Sequence, residues 1–274
     1  MIRPETLDEA MHVLATHAED AKVIAGGQSL VPTMNFRLAN PKLLVDLNRI
    51  AGLSGVRRDG DYLRIGAMAR QATLVDDPLV ARCAPLVAKA LTHVGHVQTR
   101  SRGTIGGSLV HGDPAAELPL VMCVLDAVFT VERLGARRTV DAADFFIDAL
   151  TTDIGSDEIL TEIVLPIDSE HARYGFGEYA RRHGDFALVA VACHYMPPTK
   201  LAIGIGGLES VPRRCRRLET ALITANMRPA DLEALIRDEL AVTKPLSDLH
   251  ASGEYRLELA AVLAADVLAQ LLSG

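Results

Sequence analysis

The sequence predicts a two-lobed α+β protein, and three patterns carry that reading. Helical and strand-like stretches alternate up to about residue 170, three strand-like runs follow from Tyr174, and the remainder has helical periodicity. At 274 residues the chain suits two or three modest units rather than one minimal domain. The expected parts are 1–55 and 56–170, forming one lobe, and 171–274, a three-stranded antiparallel sheet with helices. No long linker, repeat or low-complexity stretch separates them, so they should pack directly and leave a cleft.

Thr6-Leu-Asp-Glu9 has capping-box spacing, and Leu7, Ala10, Met11, Leu14, Ala15 and Ala18 recur on one face, which predicts a helix to His17. Lys22 to Ala25 reads as a short strand, Leu30 to Leu38 as a short helix or turn, and Leu43 to Leu47 as a second strand. These form a β-α-β unit ending near Gly55. The next part opens with a strand from Tyr62 to Gly66. A helix is expected from about Pro78 to His93, with Leu79, Cys83, Leu86, Val87 and Ala90 on one face. A glycine-rich stretch, expected to be extended or irregular, precedes a helix over 118–125. A hairpin of Val128 to Arg133 and Arg138 to Val140 turns at Leu134-Gly135, and a strand from Ile159 to Leu165 is closed by Pro166. Strands are then expected over 174–181, 187–195 and 201–206, with Pro197-Pro198 as a turn. Helices should occupy 214–224, 229–241 from Pro229, and 254–272.

Two glycine-paired turns carry the chemistry. Ala25-Gly26-Gly27-Gln28-Ser29-Leu30 and Thr104-Ile105-Gly106-Gly107-Ser108-Leu109 each combine two glycines with small hydroxyl residues. Glycine lets the backbone approach a ligand closely and aim N–H groups at it, so two such turns suit one diphosphate. Neither turn is a G-x-G-x-x-G dinucleotide fingerprint or a P-loop. A single Gly-Gly pair is usually only a tight turn; the specificity comes from the repetition and from the sequence after the second pair.

That sequence, Thr104-Ile-Gly-Gly-Ser-Leu-Val-His-Gly-Asp-Pro-Ala-Ala-Glu-Leu-Pro119, resembles the FAD-binding subunit of the molybdenum hydroxylases: the medium chain of aerobic carbon monoxide dehydrogenase and the flavin domain of xanthine dehydrogenase. The resemblance continues in Ile159-Leu160-Thr161-Glu162-Ile163, in Arg181-Arg182-His183-Gly184-Asp185-Phe186-Ala187 and in Gly253-Glu254-Tyr255-Arg256, so it spans nearly the whole chain. It implies an FAD lobe of the type shared with vanillyl-alcohol oxidases and the cell-wall enolpyruvylglucosamine reductase. It further implies that Ala25, Gly26, Gly27, Gln28, Ser29 and Leu30, with Thr104, Ile105, Gly106, Gly107 and Ser108, hold the diphosphate.

Glu117 matches a position where relatives often carry an acid bonding the cofactor's ribose or ribityl hydroxyls, and Asp113 is a second candidate. Asp113 is equally suited to capping the next helix. Ala67 and Leu160 match positions that line the flavin. Where several relatives place a Lys near the flavin, this chain has Gly177-Glu178-Tyr179. Tyr174, Phe176 and Tyr179 are candidates to wall the ring, although alternate aromatics in a strand more often pack in a core. The implied partners are a small subunit with two [2Fe-2S] centres and a large subunit with a molybdopterin cofactor, in a dimer of heterotrimers. No side-chain nucleophile or acid–base dyad is expected. A self-contained flavin oxidoreductase and a docking subunit with a vestigial flavin site are the alternatives.

Other classes fit less well. A formal net charge of -7 disfavours nonspecific nucleic-acid binding, which needs a basic face. The dense basic run Arg213-Arg214-Cys215-Arg216-Arg217 reads as a solvated helix start, with a docking patch as the alternative. Cys83, Cys123, Cys193 and Cys215 contain no C-x-x-C pair and read as buried reduced thiols. His93, His96, His111 and Asp113 can be drawn as a metal set, but Gly95 breaks the helix that would align them. No G-x-S-x-G elbow marks a serine hydrolase. The N-terminus lacks a signal pattern and no apolar run reaches membrane-spanning length, so a cytoplasmic soluble protein is expected.

Overall fold

The computed structural model describes residues 1–169, 171–198, 200–227 and 231–273. The chain begins with α1 (Leu7–His17), started by the expected capping box: Thr6 accepts from the Glu9 N–H, and the Glu9 carboxylate accepts from the Thr6 N–H. The elements β1 (Ala21–Ile24), α2 (Leu30–Asn35) and β2 (Leu43–Asp46) follow, with β1 and β2 parallel and in register from Ala21 opposite Leu43 to Ile24 opposite Asp46. Ala10 and Leu14 of α1 share a small core with Val45 and Leu47. The helical period on one side thus meets the strand period on the other.

The next stretch contains β3 (Val56–Asp59), β4 (Tyr62–Gly66), α3 (Gln71–Val75), α4 (Pro78–Cys83), α5 (Pro85–Leu91), α6 (Val97–Arg102), α7 (Ile105–His111) and α8 (Glu117–Val124). It closes with β5 (Val128–Arg133), β6 (Ala136–Asp141), α9 (Ala142–Phe145), β7 (Phe146–Asp148), β8 (Thr151–Thr152) and β9 (Ile159–Pro166). Five strands form an antiparallel sheet in the order β3-β4-β9-β5-β6. The exposed β3, mostly charged, gave no alternating pattern and was not expected. The helix expected from Pro78 to His93 is two helices. Pro85 removes an N–H and disfavours helical geometry at Ala84, whose φ is -146° and ψ 59°. The second glycine motif, expected to be irregular, forms α7, because Thr104 caps it and accepts from the Gly107 N–H at 3.0 Å.

Beyond these come β10 (Arg173–Ala180), β11 (Ala187–Met196), β12 (Lys200–Gly206), β13 (Arg213–Arg214), α10 (Arg216–Thr224), α11 (Leu232–Leu240) and α12 (Gly253–Ser273). The expected three-stranded sheet gains β13 as a short fourth strand, giving the order β10-β11-β12-β13, all antiparallel. The expected helix start at Pro229 lies outside the described residues. Every residue of β11 from Ala187 to His194 is buried because both sheet faces are covered. On one face α8 packs so closely that a Cβ on Gly204 would meet Val124 and Leu120 at 2.6 and 2.7 Å. On the other, a Cβ on Gly177 would meet Val267 of α12 at 2.8 Å.

Part of the basic run is neither solvated nor available for docking. Arg213 pairs with Glu209 and Glu239, and Arg214 with Asp126 and Glu219, tying β13 to α10, α11 and the α8–β5 turn. The four cysteines are free and buried. No helix among the described residues is long and apolar enough to cross a membrane.

Candidate cofactor site

The two glycine turns meet. A Cβ on Gly26 would overlap the Arg102 carbonyl and lie 2.9 Å from Gly103 Cα, so the first turn presses on the backbone entering the second motif. A Cβ on Gly107 would lie 3.7 Å from the Ala25 Cβ. The turns nevertheless contribute differently. At the first, β1 ends and Gly27 takes a φ of +72°, a region favourable to glycine, before α2 begins. The backbone N–H groups of Gly26, Gly27, Gln28, Ser29 and Leu30 donate to no acceptor among the described residues. Five consecutive free donors beside the start of a helix form a site suited to an anion.

The second turn is a shelf rather than a second set of donors. Ile105 N–H bonds the Ala69 carbonyl at 3.1 Å, Gly106 N–H the Ala67 carbonyl at 2.8 Å, Gly107 N–H the Thr104 hydroxyl, and Ser108 N–H the Thr104 carbonyl. The expectation of two converging amide arrays is therefore corrected to one, because capping and sheet contacts use the second. Gly106 is needed for this anchoring: a Cβ there would lie 2.6 Å from that of Ala67. The half-buried Ser29 and Ser108 hydroxyls make no protein hydrogen bond among the described residues.

Ala67 and Leu160 come together through Thr161. The Ala67 N–H donates to the Thr161 carbonyl at 2.9 Å, and a bulge opposite Thr130 and Val131 sets the β9 backbone beside Ala67. Both side chains are buried. Asp113 does not cap α8, whose N-cap is Ala116; its Oδ1 accepts from the Ala115 N–H at 2.9 Å and closes the turn between α7 and α8.

Glu117 is buried on the first turn of α8, facing Glu178 of β10. Burial, aided by the Asp113 charge, pushes the Glu117 carboxyl up to about 7; burial and Glu117 raise Glu178 to about 8. Each carboxyl, buried opposite the other, opposes its partner's ionisation. The sequence reading takes Glu178 only as a departure from a Lys and does not pair it with Glu117. The usable signal was alternation: Gly175 and Gly177 face α12, which turns Phe176 and Glu178 toward the other lobe.

The candidate aromatics have other partners. Phe176 packs on His93 with ring centroids 5.0 Å apart, Tyr174 stacks on His194 at 5.2 Å and donates to Asp168, and Tyr179 interacts with Tyr255. The drawn metal set is dispersed: His93 stacks on His183, and no group of three metal-ligating side chains occurs among the described residues.

Comparison with known proteins agrees with this architecture. Residues 1–168 match the family model described as FAD binding domain in molybdopterin dehydrogenase, and residues 174–271 match the CO dehydrogenase flavoprotein C-terminal domain. The medium subunit of nicotine 6-hydroxylase from Paenarthrobacter nicotinovorans is 39% identical, over 92% of this chain and 90% of that one. Carbon monoxide dehydrogenase from Hydrogenophaga pseudoflava superposes with a TM-score of 0.95 at 30% identity, covering 99% of this chain and 96% of that one. Quinoline 2-oxidoreductase from Pseudomonas putida 86 gives 0.93 at 35% identity, with the same coverage. The free amides, the glycine contacts that exclude any side chain and the shelf fit a diphosphate-bearing cofactor, and the chain belongs to the FAD-binding medium subunits of the molybdenum hydroxylases, oxidoreductases similar to carbon monoxide dehydrogenase and xanthine dehydrogenase.

Proposed function

We propose that this chain is the electron-exit subunit of a molybdenum hydroxylase, taking electrons from [2Fe-2S] centres on a small partner subunit and passing them to an external acceptor. The large molybdopterin subunit carries substrate oxidation, in a dimer of heterotrimers. The observation that carries this reading is the run of free N–H groups from Gly26 to Leu30, closed from one side by the Thr104 shelf. FAD, when bound, exchanges electrons singly or in pairs. The chain's own residues bind and orient it.

The Gly26–Leu30 amides would hold the diphosphate, with the Ser29 and Ser108 hydroxyls as further donors. Ala67 and Leu160 would shape the wall through their main chain. Glu117 would bond the cofactor's ribose or ribityl hydroxyls, its raised carboxyl able to accept and, when protonated, to donate. Parts 1–55 and 56–170 would form the FAD lobe, with 171–274 covering it. The free amides argue against a vestigial site.

Reconstitution tests this. The purified chain with FAD should show a flavin spectrum at one FAD per chain, and coexpressed small and large subunits should reduce that flavin when given substrate. Substrate turnover by the isolated chain would instead establish a self-contained oxidoreductase.

A further inference from the structure

Between the two turns lies a hydrogen-bonded relay that the glycine pattern does not reveal. Asn48, just after β2, donates through Nδ2 to the Ala25 carbonyl at 2.8 Å, holding the first turn. Its Oδ1 accepts from Arg70 Nη2 at 2.5 Å. Arg70, just before α3, also donates through Nη1 to the Arg102 carbonyl, the group against which Gly26 packs. One guanidinium thus grips both strands of the cradle. Its planar fork can bridge two acceptors at fixed spacing; a lysine ammonium lacks that geometry.

The charge at this place is also unusual. Arg70 and Arg102 lie close enough to repel, and neither is within ion-pair distance of a carboxylate among the described residues. Asp46, whose charge also reaches Arg70, is engaged by Arg3 and by Asn48. A guanidinium outside ion-pair distance of any carboxylate among the described residues, linked to the turn whose five amides are free, suits an anion.

Resting on the FAD reading above, we infer that Arg70 is a positioning residue for the cofactor's diphosphate: through Asn48 and the Arg102 carbonyl it fixes the spacing of the two turns, and its guanidinium adds positive charge beside them. This adds a cationic contribution to a site whose sequence pattern suggested neutralisation by backbone dipoles alone.

The test compares FAD and riboflavin binding to the full-length apo chain by flavin fluorescence quenching, since riboflavin has no diphosphate. Arg70→Met should weaken FAD binding by roughly ten-fold or more and leave riboflavin binding within about two-fold. It should also reduce the salt dependence of FAD binding. Arg70→Lys, which keeps the charge without the fork, should recover the salt dependence but not the full affinity. Asn48→Ala, at an exposed position that should fold normally, should weaken FAD alone and serves as the second variant if Arg70→Met does not fold. Equal losses for FAD and riboflavin, or FAD binding by both Arg70→Met and Asn48→Ala within two-fold of wild type, would overturn the assignment. Failure of the unsubstituted chain to bind FAD would overturn the cofactor reading itself, and the relay with it.

Discussion

Gly26 packs directly on the Arg102 carbonyl, so two turns separated by more than seventy residues share one wall. Any side chain at position 26 must push that wall back, and the displaced atoms are backbone, which cannot rotate aside. Gly26→Ala should therefore reduce FAD binding at least ten-fold. Titration of the apo variant with FAD checks this; wild-type affinity would mean the wall is not part of the site.

Gly107 presents a different case. A Cβ there would lie 2.8 Å from the Thr104 hydroxyl, so Gly107→Val disturbs the cap of α7 as well as the cofactor groove. Thr104→Ala removes the cap alone and should cost about 1 kcal/mol of stability. Gly107→Val should lose at least that much stability and also lose FAD. Urea unfolding combined with FAD titration separates the effects. A Gly107→Val chain with unchanged affinity would place the groove elsewhere.

The legibility of this fold divides along physical lines. Local signals were readable: the Thr6–Glu9 capping box, the Leu134-Gly135 hairpin and the alternation in β10 depend on residues a few positions apart. The break at Ala84-Pro85 was also locally encoded, but the apolar face spanning it favoured one continuous helix. Long-range assignments were not readable. The engagement of the Ile105 and Gly106 amides depends on the Ala69 and Ala67 carbonyls, about forty residues before the motif that uses them. The contact between Glu117 and Glu178 and the ion pairing of the half-buried Arg213 and Arg214 likewise depend on tertiary packing.

The Glu117–Glu178 pair predicts a pH dependence. Both carboxyls titrate above their ordinary range in the folded chain, so between about pH 4.5 and 8 the folded state binds more protons than the unfolded state. Their contribution is fully present at the acid end of that window and is lost as pH rises through the folded values. Glu178→Gln removes one member, so Glu117 ionises without a like-charged neighbour. The difference in stability between variant and wild type should move in the variant's favour as pH rises from 5 to 8, with a slope approaching about one proton. Urea unfolding of the apo chains across this range measures it; parallel stability curves would show that the two carboxyls do not oppose each other's ionisation.

Arg256 supplies the last prediction, away from the cofactor. It is 4% exposed near the start of α12, where Nη1 donates to the Leu188 and Gly207 carbonyls at 2.6 and 2.9 Å and Nη2 to Asp248 at 2.6 Å. It thereby joins α12 to the backbone entering β11 and leaving β12. Arg256→Met keeps much of the apolar stem but leaves two carbonyls without this donor, and should cost about 2–4 kcal/mol. Asp248→Asn weakens only the half-exposed partner and should cost about 1 kcal/mol or less. If the two variants lost equal stability in urea unfolding, the ion pair rather than the carbonyl contacts would be what anchors α12.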